Sequence, residues 1–264
     1  MTKLQWTVLG AAMALFLILY FGCETTPSDI AALEKSRVLS AESTDVNTLL
    51  SEAKLELESI ASSELLLLES QLEEAVDDTA RAEAYKSLSS KWYELEYPAL
   101  AGYYAQQVAE IEGTEDAWSI AGTTFTICIQ RSEIQKVRDF CAGRAVSAFE
   151  SAISLNPDNI AHQVNLALSY TYNPPSDNPM KGVLMLRELN QKAPDNVLVL
   201  NTLARLAIRT GQYGRAVERL EQALEKEPDN IATACLLAQA YEGNGDMAKA
   251  QTFAAKCREA STTN

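Results

Sequence analysis

The tripeptide Pro-Asp-Asn occurs three times, at 157–159, 194–196 and 228–230, with its prolines 37 and then 34 residues apart. Recurrence at that interval constrains the chain more than its composition does. A unit of this size is one supersecondary element that can bury its apolar face only against a neighbouring unit. Inside the intervals, apolar and small residues return at helical spacing, as in Leu200, Leu203, Ala204 and Ala207, and a proline halts the second helix of each unit. The pattern predicts an all-α stack of helix hairpins. Small residues such as Gly122 and Ala145 let paired helices approach, while Phe125 and Phe149 fill the space beside them.

The unit at 197–230 resembles the tetratricopeptide repeat residue by residue. Leu200, Leu203, Ala204, Ala207, Gly211, Tyr213, Ala216, Leu220, Ala223 and Pro228 sit where that family places its packing residues. The next unit, 231–264, repeats the pattern with Ala234, Leu237, Ala238, Tyr241, Gly245, Ala250, Ala254 and Cys257. Upstream, Trp118, Ala121, Gly122 and Phe125 reproduce the family's opening, and Ala145, Phe149, Ala152 and Pro157 supply the matching second helix. That unit, 115–159, exceeds the family's period of roughly 34 residues by about eleven, as a hairpin lengthened on both arms would. The unit 160–196 carries Leu166, Ala167, Tyr170, Gly182, Leu186 and Pro194, with three extra residues in the Pro-rich stretch 173–179. A degenerate first unit is expected over 82–114, built on Tyr85, Leu88, Ser89, Trp92, Ala101, Ala105 and Val108. The resemblance implies an α-solenoid spanning 82–264, whose concave face binds a protein or peptide and which is not an enzyme.

The run 178–188, NPMKGVLMLRE, together with a short apolar N-terminus, also resembles an uncharacterised family of membrane-anchored repeat proteins from Bacteroidota. That resemblance brings no known activity. Residues 4–21, LQWTVLGAAMALFLILYF, contain no charge and are just long enough to span a bilayer. Lys3 precedes the run and acids follow it, so a signal anchor over 1–23 is expected, single-pass in the inner membrane with the C-terminal domain periplasmic. The alternative is a lipoprotein with Cys23 lipidated after Gly22; Tyr20 and Phe21 fit the usual processing signal poorly. Between Glu24 and Val76 twelve acids face three bases, and Leu49, Leu50, Ala53, Leu57 and Ile60 recur at helical spacing, as do Leu65, Leu68, Leu72 and Ala75. An acidic, Ser-rich helical stalk is therefore expected over 24–81.

Charge and composition narrow the chemistry. With 36 acids against 22 bases the net charge is −14, which argues against nucleic-acid binding. A lone histidine, His162, removes His-based triads and multi-His metal sites, and no cofactor motif is present. The groove positions implied by the repeat family fall on Leu198, Asn201, Arg205, Ile208 and Arg209 in one unit, and on Ala161, Val164, Leu168, Thr171 and Tyr172 in the unit before it. Asn201, Arg205 and Arg209, four apart on one helical face, resemble the carboxylate clamps with which some relatives hold acidic peptide termini. Asn165 is the one residue of the preceding unit near a clamp position, and Val164, Leu168 and Tyr172 form the apolar alternative surface. A solvated basic stripe paired with nearby Glu is the competing reading.

Antiparallel register brings Trp118 opposite Ala152 and Phe125 opposite Ala145, which puts Cys128 and Cys141 at matching heights. Cys128–Cys141 is thus the candidate disulfide, with buried free thiols as the alternative. Cys235 and Cys257 also match in height, but Cys235 occupies a groove position while Cys257 points into the hairpin, which disfavours a bond between them. The function expected is a membrane-anchored scaffold binding a protein or peptide. The alternatives are a cytochrome c maturation subunit holding apocytochrome and a lipoprotein subunit of an outer-membrane assembly machine.

Overall fold

In the computed structural model residues 45–261 are described, and from Leu49 onward they form one compact unit. The expected membrane helix, Cys23 and the first part of the acidic stalk lie outside the described residues. Among the described residues no helix is long and apolar enough to cross a membrane. Among the described residues twelve helices follow one another and no strand occurs. They are α1 Val46–Glu56, α2 Ser59–Glu73, α3 Asp78–Glu94, α4 Pro98–Glu112, α5 Glu115–Arg131 and α6 Gln135–Leu155. The second half comprises α7 Ile160–Tyr172, α8 Lys181–Lys192, α9 Val197–Arg209, α10 Tyr213–Lys226, α11 Ile231–Asn244 and α12 Met247–Ser261. From α3 on, consecutive helices pair as hairpins, and each first helix touches the next first helix from α5 to α11.

The recurrent tripeptide has a second physical role beyond stopping a helix. Each of its asparagines is the N-cap of the helix that follows, satisfying a backbone N–H that would otherwise lack an intrahelical partner. Asn159 Oδ1 accepts from the Ala161 N–H at 3.0 Å, Asn196 Oδ1 from the Val199 N–H at 3.1 Å, and Asn230 Oδ1 from the Thr233 N–H at 2.9 Å. Asp77 and Thr114 cap α3 and α5 in the same way. The first hairpin begins at Asp78, four residues before the expected start, because Asp77 supplies that cap.

Small residues set the closeness of the pairs. A methyl group on Gly122 would meet the Phe149 ring at 2.8 Å, and one on Gly102 would meet Phe125 at 2.6 Å. Phe125, Phe149 and Trp92 are fully buried, each contributing about 1.5–3 kcal/mol by removal of apolar surface from water. The later part of the expected stalk joins this packing: α2 lies against α3, Leu65 and Ala53 are buried, and Lys54 pairs with Glu69 across α1 and α2.

Candidate functional site

The C-terminal ends of α5, α7 and α9 lie side by side on the face made by the first helices, and between them opens a cleft of about 450 Å³. Ile129 and Gln130 of α5, Thr171 and Tyr172 of α7, and Arg205 and Arg209 of α9 line it, together with Arg138 from α6. Arg205 and Arg209 are exposed, and the Arg209 guanidinium lies 5.3 Å from the centre of the Tyr172 ring, within cation–π range. None of the ion pairs among the described residues involves Arg138, Arg205 or Arg209.

The lengthened α5–α6 hairpin builds one wall. Cys128 and Cys141 are joined in a disulfide with Cα atoms 6.2 Å apart, which fixes the tip of the hairpin against itself. Arg138, one helical turn before Cys141, donates from Nη2 to the Tyr172 carbonyl at 2.7 Å, capping the end of α7. Gln135 donates to Asn173 at 3.2 Å, and Asn173 in turn donates to Asp139 at 2.9 Å. These bonds hold the overhanging tip to the Pro-rich segment after α7.

Several expected groove residues are elsewhere. Asn201 is buried and exchanges hydrogen bonds with Thr233 of α11, at 2.8 and 3.1 Å, so it ties two repeats together and does not stand beside the arginines. The reason is helical drift: residues four apart are rotated by about 40° per step, so Asn201 and Arg209 differ by about 80° around the axis. Val164 is fully buried in the core formed with Leu186, Val199 and Leu203, and Leu168 packs against the same cluster, so the expected apolar surface reduces to Tyr172. Asn165 is half-buried and does not line the cleft. Cys235 and Cys257, disfavoured by rotation, are joined in a second disulfide with Cα atoms 5.0 Å apart; a disulfide forms only between side chains that converge, so the expected difference in facing does not hold in this hairpin. Arg138 was missed because it belongs to a second helix, where the repeat pattern assigns no groove position. The eleven-residue surplus of its unit was the signal that could have found it.

A second polar cluster joins α5 to the segment before α7. The Glu115 carboxylate accepts from Asn159 at 2.6 Å and Asn156 at 2.9 Å, and lies 2.5 Å from Nε2 of the buried His162. The bonds from Asn159, then Asn156, then His162 hold the Glu115 carboxyl below its usual range. Among the described residues no group of three or more His, Cys, Asp or Glu side chains could hold a metal ion.

These features define an all-α array of helix hairpins with a cationic cleft on its first-helix face. The family model for the tetratricopeptide repeat matches residues 207–260. Among solved structures, a MamA protein is similar at 14% identity over 67% of this chain and 90% of its own, with a TM-score of 0.40. MamA from Desulfovibrio magneticus RS-1 is similar at 16% identity over 69% of this chain and 96% of its own, at 0.42. YrrB, a tetratricopeptide-repeat protein with an unusual peptide-binding site, is similar at 13% identity over 73% and 91%, at 0.37. No curated protein sequence matches the chain.

Proposed function

We propose that the chain is a noncatalytic, membrane-anchored scaffold that captures an acidic protein segment in the cleft between α5, α7 and α9. One observation carries this reading. In a chain with 36 acids against 22 bases, Arg205 and Arg209 stand exposed on a concave surface with no carboxylate paired to either. Surplus acids would be expected to neutralise such cations if the cleft had no external anion to receive. Tyr172 adds a flat apolar surface beside them, suited to the backbone and side-chain stems of an extended segment.

The apolar run at 4–21 supports an anchor, and Lys3 before it supports a body exported from the cytoplasm. Two disulfides support the same address, because such bonds persist in oxidising compartments. The test is crosslinking capture from native envelope with the full chain. Charge-assisted contacts contribute roughly 1.5–3 kcal/mol each, so Arg205→Ala with Arg209→Ala should weaken partner capture at least about tenfold while leaving the helical content intact. Equal capture by wild type and double variant would remove the cleft from the function. A reporter active only outside the cytoplasm, fused after Asn264, tests the anchor separately.

A further inference from the structure

The second helices carry a cationic surface of their own, apart from the cleft. Arg215 and Arg219 stand one turn apart on α10, and Arg187 stands on α8 of the preceding hairpin. The Arg219 pKa is lowered, first by burial and next by Arg215; Glu218 opposes this and Arg187 adds to it, so the three guanidinium groups share one surface. None of them belongs to an ion pair among the described residues. Arg215 Nη1 donates to the Gln212 side chain at 2.8 Å and Arg219 Nη1 to the Arg215 carbonyl at 3.2 Å, which leaves their charges unneutralised. Leu184 is exposed on the same face of α8, one turn before Arg187.

Charge of the opposite sign is concentrated at the other end of the described residues. Between Asp45 and Val76 eight acids face one base, whereas α8 and α10 together hold six bases against four acids. On α2 and its C-cap, Leu66, Leu67, Ser70, Glu73 and Glu74 recur at helical spacing and are all exposed, the two leucines by 64% and 60%. Glu64 and Glu69 of the same helix are already paired with Lys91 and Lys54, but Glu73 and Glu74 belong to no ion pair among the described residues. A helix face that joins exposed leucines to unpaired acids complements a surface that joins an exposed leucine to unpaired arginines. Seven residues of helix rise about 10.5 Å, close to the roughly 10–12 Å width of one helix. A helix like α2 laid across α8 and α10 therefore sets its leucines on Leu184 while its acids reach the α10 arginines.

Within one copy these surfaces cannot meet, because α2 packs on α3 and five helices separate it from α8 in the same compact unit. We propose that the outward face of α2 in one copy docks on the arginine-bearing faces of α8 and α10 in a second copy, so that the chain assembles head to tail. Such a contact is heterologous: every pair still offers one free face of each kind, and assembly continues into a ring or a filament. Neither Arg205 nor Arg209 takes part, so this contact and capture in the cleft stand or fall separately.

Sedimentation velocity of the full chain in detergent, at rising concentration, should show species larger than a dimer, and raised salt should weaken the association. Glu73→Gln with Glu74→Gln should raise the concentration needed for association about tenfold, and so should Arg187→Gln with Arg215→Gln. All four side chains are exposed, so melting curves should be unchanged. The two double variants mixed should form a one-to-one complex that does not grow, because each lacks the face that the other retains. A wild-type chain that stays monomeric at every concentration overturns the proposal. So does association that neither pair of substitutions weakens, or a mixture in which no complex forms. If Arg205→Ala with Arg209→Ala abolishes association while Arg187→Gln with Arg215→Gln does not, the acidic face of the second copy sits in the cleft, and the docking assigned to α8 and α10 falls.

Discussion

At the residue scale, two asparagine-centred arrangements do work that spacing alone did not reveal. The Pro-Asp-Asn repeats were legible as helix stops, yet the capping bonds of Asn159, Asn196 and Asn230 explain why the third letter is asparagine. Asn196→Ala should cost about 1 kcal/mol, read as a lower denaturation midpoint, because α9 loses its N-cap acceptor. Asn201 was legible as a groove-position residue of α9, beside the arginines, but not as a buried bond to Thr233, since a spacing of four hides the rotation that accumulates along the helix. The Glu115 cluster gives a pH-dependent outcome. The Glu115 carboxyl is held below its usual range by Asn159, Asn156 and His162, so its folded-state pKa is lower than its unfolded one. A depressed carboxyl contributes stability above the unfolded pKa, near 4.5, and loses it as pH falls through the folded value. The melting temperature of wild type should therefore exceed that of Glu115→Gln at neutral pH, and the difference should shrink as pH is lowered below about 4.5. A difference that grows on acidification would contradict this account.

Among the helices, glycine has opposite meanings at two positions, and the sequence showed only one of them. Gly182 stands at a packing position of the third hairpin, and there α8 crosses α7 so closely that a methyl group would lie 2.2 Å from the Ala167 carbonyl oxygen and 2.3 Å from Thr171 Oγ1. A backbone carbonyl cannot swing aside as a flexible side chain can. Gly182→Ala should therefore force the helices apart and cost on the order of 1–3 kcal/mol, outweighing the gain of roughly 1 kcal/mol that alanine normally brings to a helix. Gly143, on the exposed side of α6, meets nothing within 4 Å, so Gly143→Ala should stabilise by roughly that same 1 kcal/mol. Denaturant midpoints moving in the same direction for both would mean that propensity, and not packing, governs these helices. The lengthened α5–α6 hairpin was legible as a surplus of residues. Its destination was not, because a pattern of packing positions describes how a hairpin meets its neighbours and is silent about residues beyond the shared length. Arg138 stands in that unshared part, where only the fold brings it to the end of α7.

Across the described residues, a stack of hairpins is stabilised by nearest neighbours, and among them α11 and α12 make their main contacts outside their own hairpin with the unit before them. The burial pattern reflects this: in α12 Ala250 alone is buried among the described residues, whereas α5 buries seven residues from Ala117 to Ile129. The two disulfides consequently play different parts although both join the arms of a hairpin. Cys235–Cys257 closes 22 residues in the hairpin of the sparsely buried α12, and Cys128–Cys141 closes 13 residues between units that pack on both sides, beside the cleft. Loop-closure entropy assigns each about 3 kcal/mol, so the distinction lies in where the loss is felt. Replacing Cys235 and Cys257 by Ser should release α11 and α12 from the stack while α3 to α10 stay folded, since the sparsely buried α12 leaves this hairpin held chiefly by α9 and α10. Hydrogen exchange should then accelerate over residues 231–261 alone, and binding in the cleft should be unchanged. Replacing Cys128 and Cys141 should instead lower the stability of the units on both sides and weaken capture, because the tip that carries Arg138 loses its tether. Before either variant is made, thiol titration of the denatured, unreduced chain should find no more than one reactive cysteine. Accelerated exchange spread evenly over the array in the first variant would show that the hairpins unfold together and that the chain is not a nearest-neighbour stack.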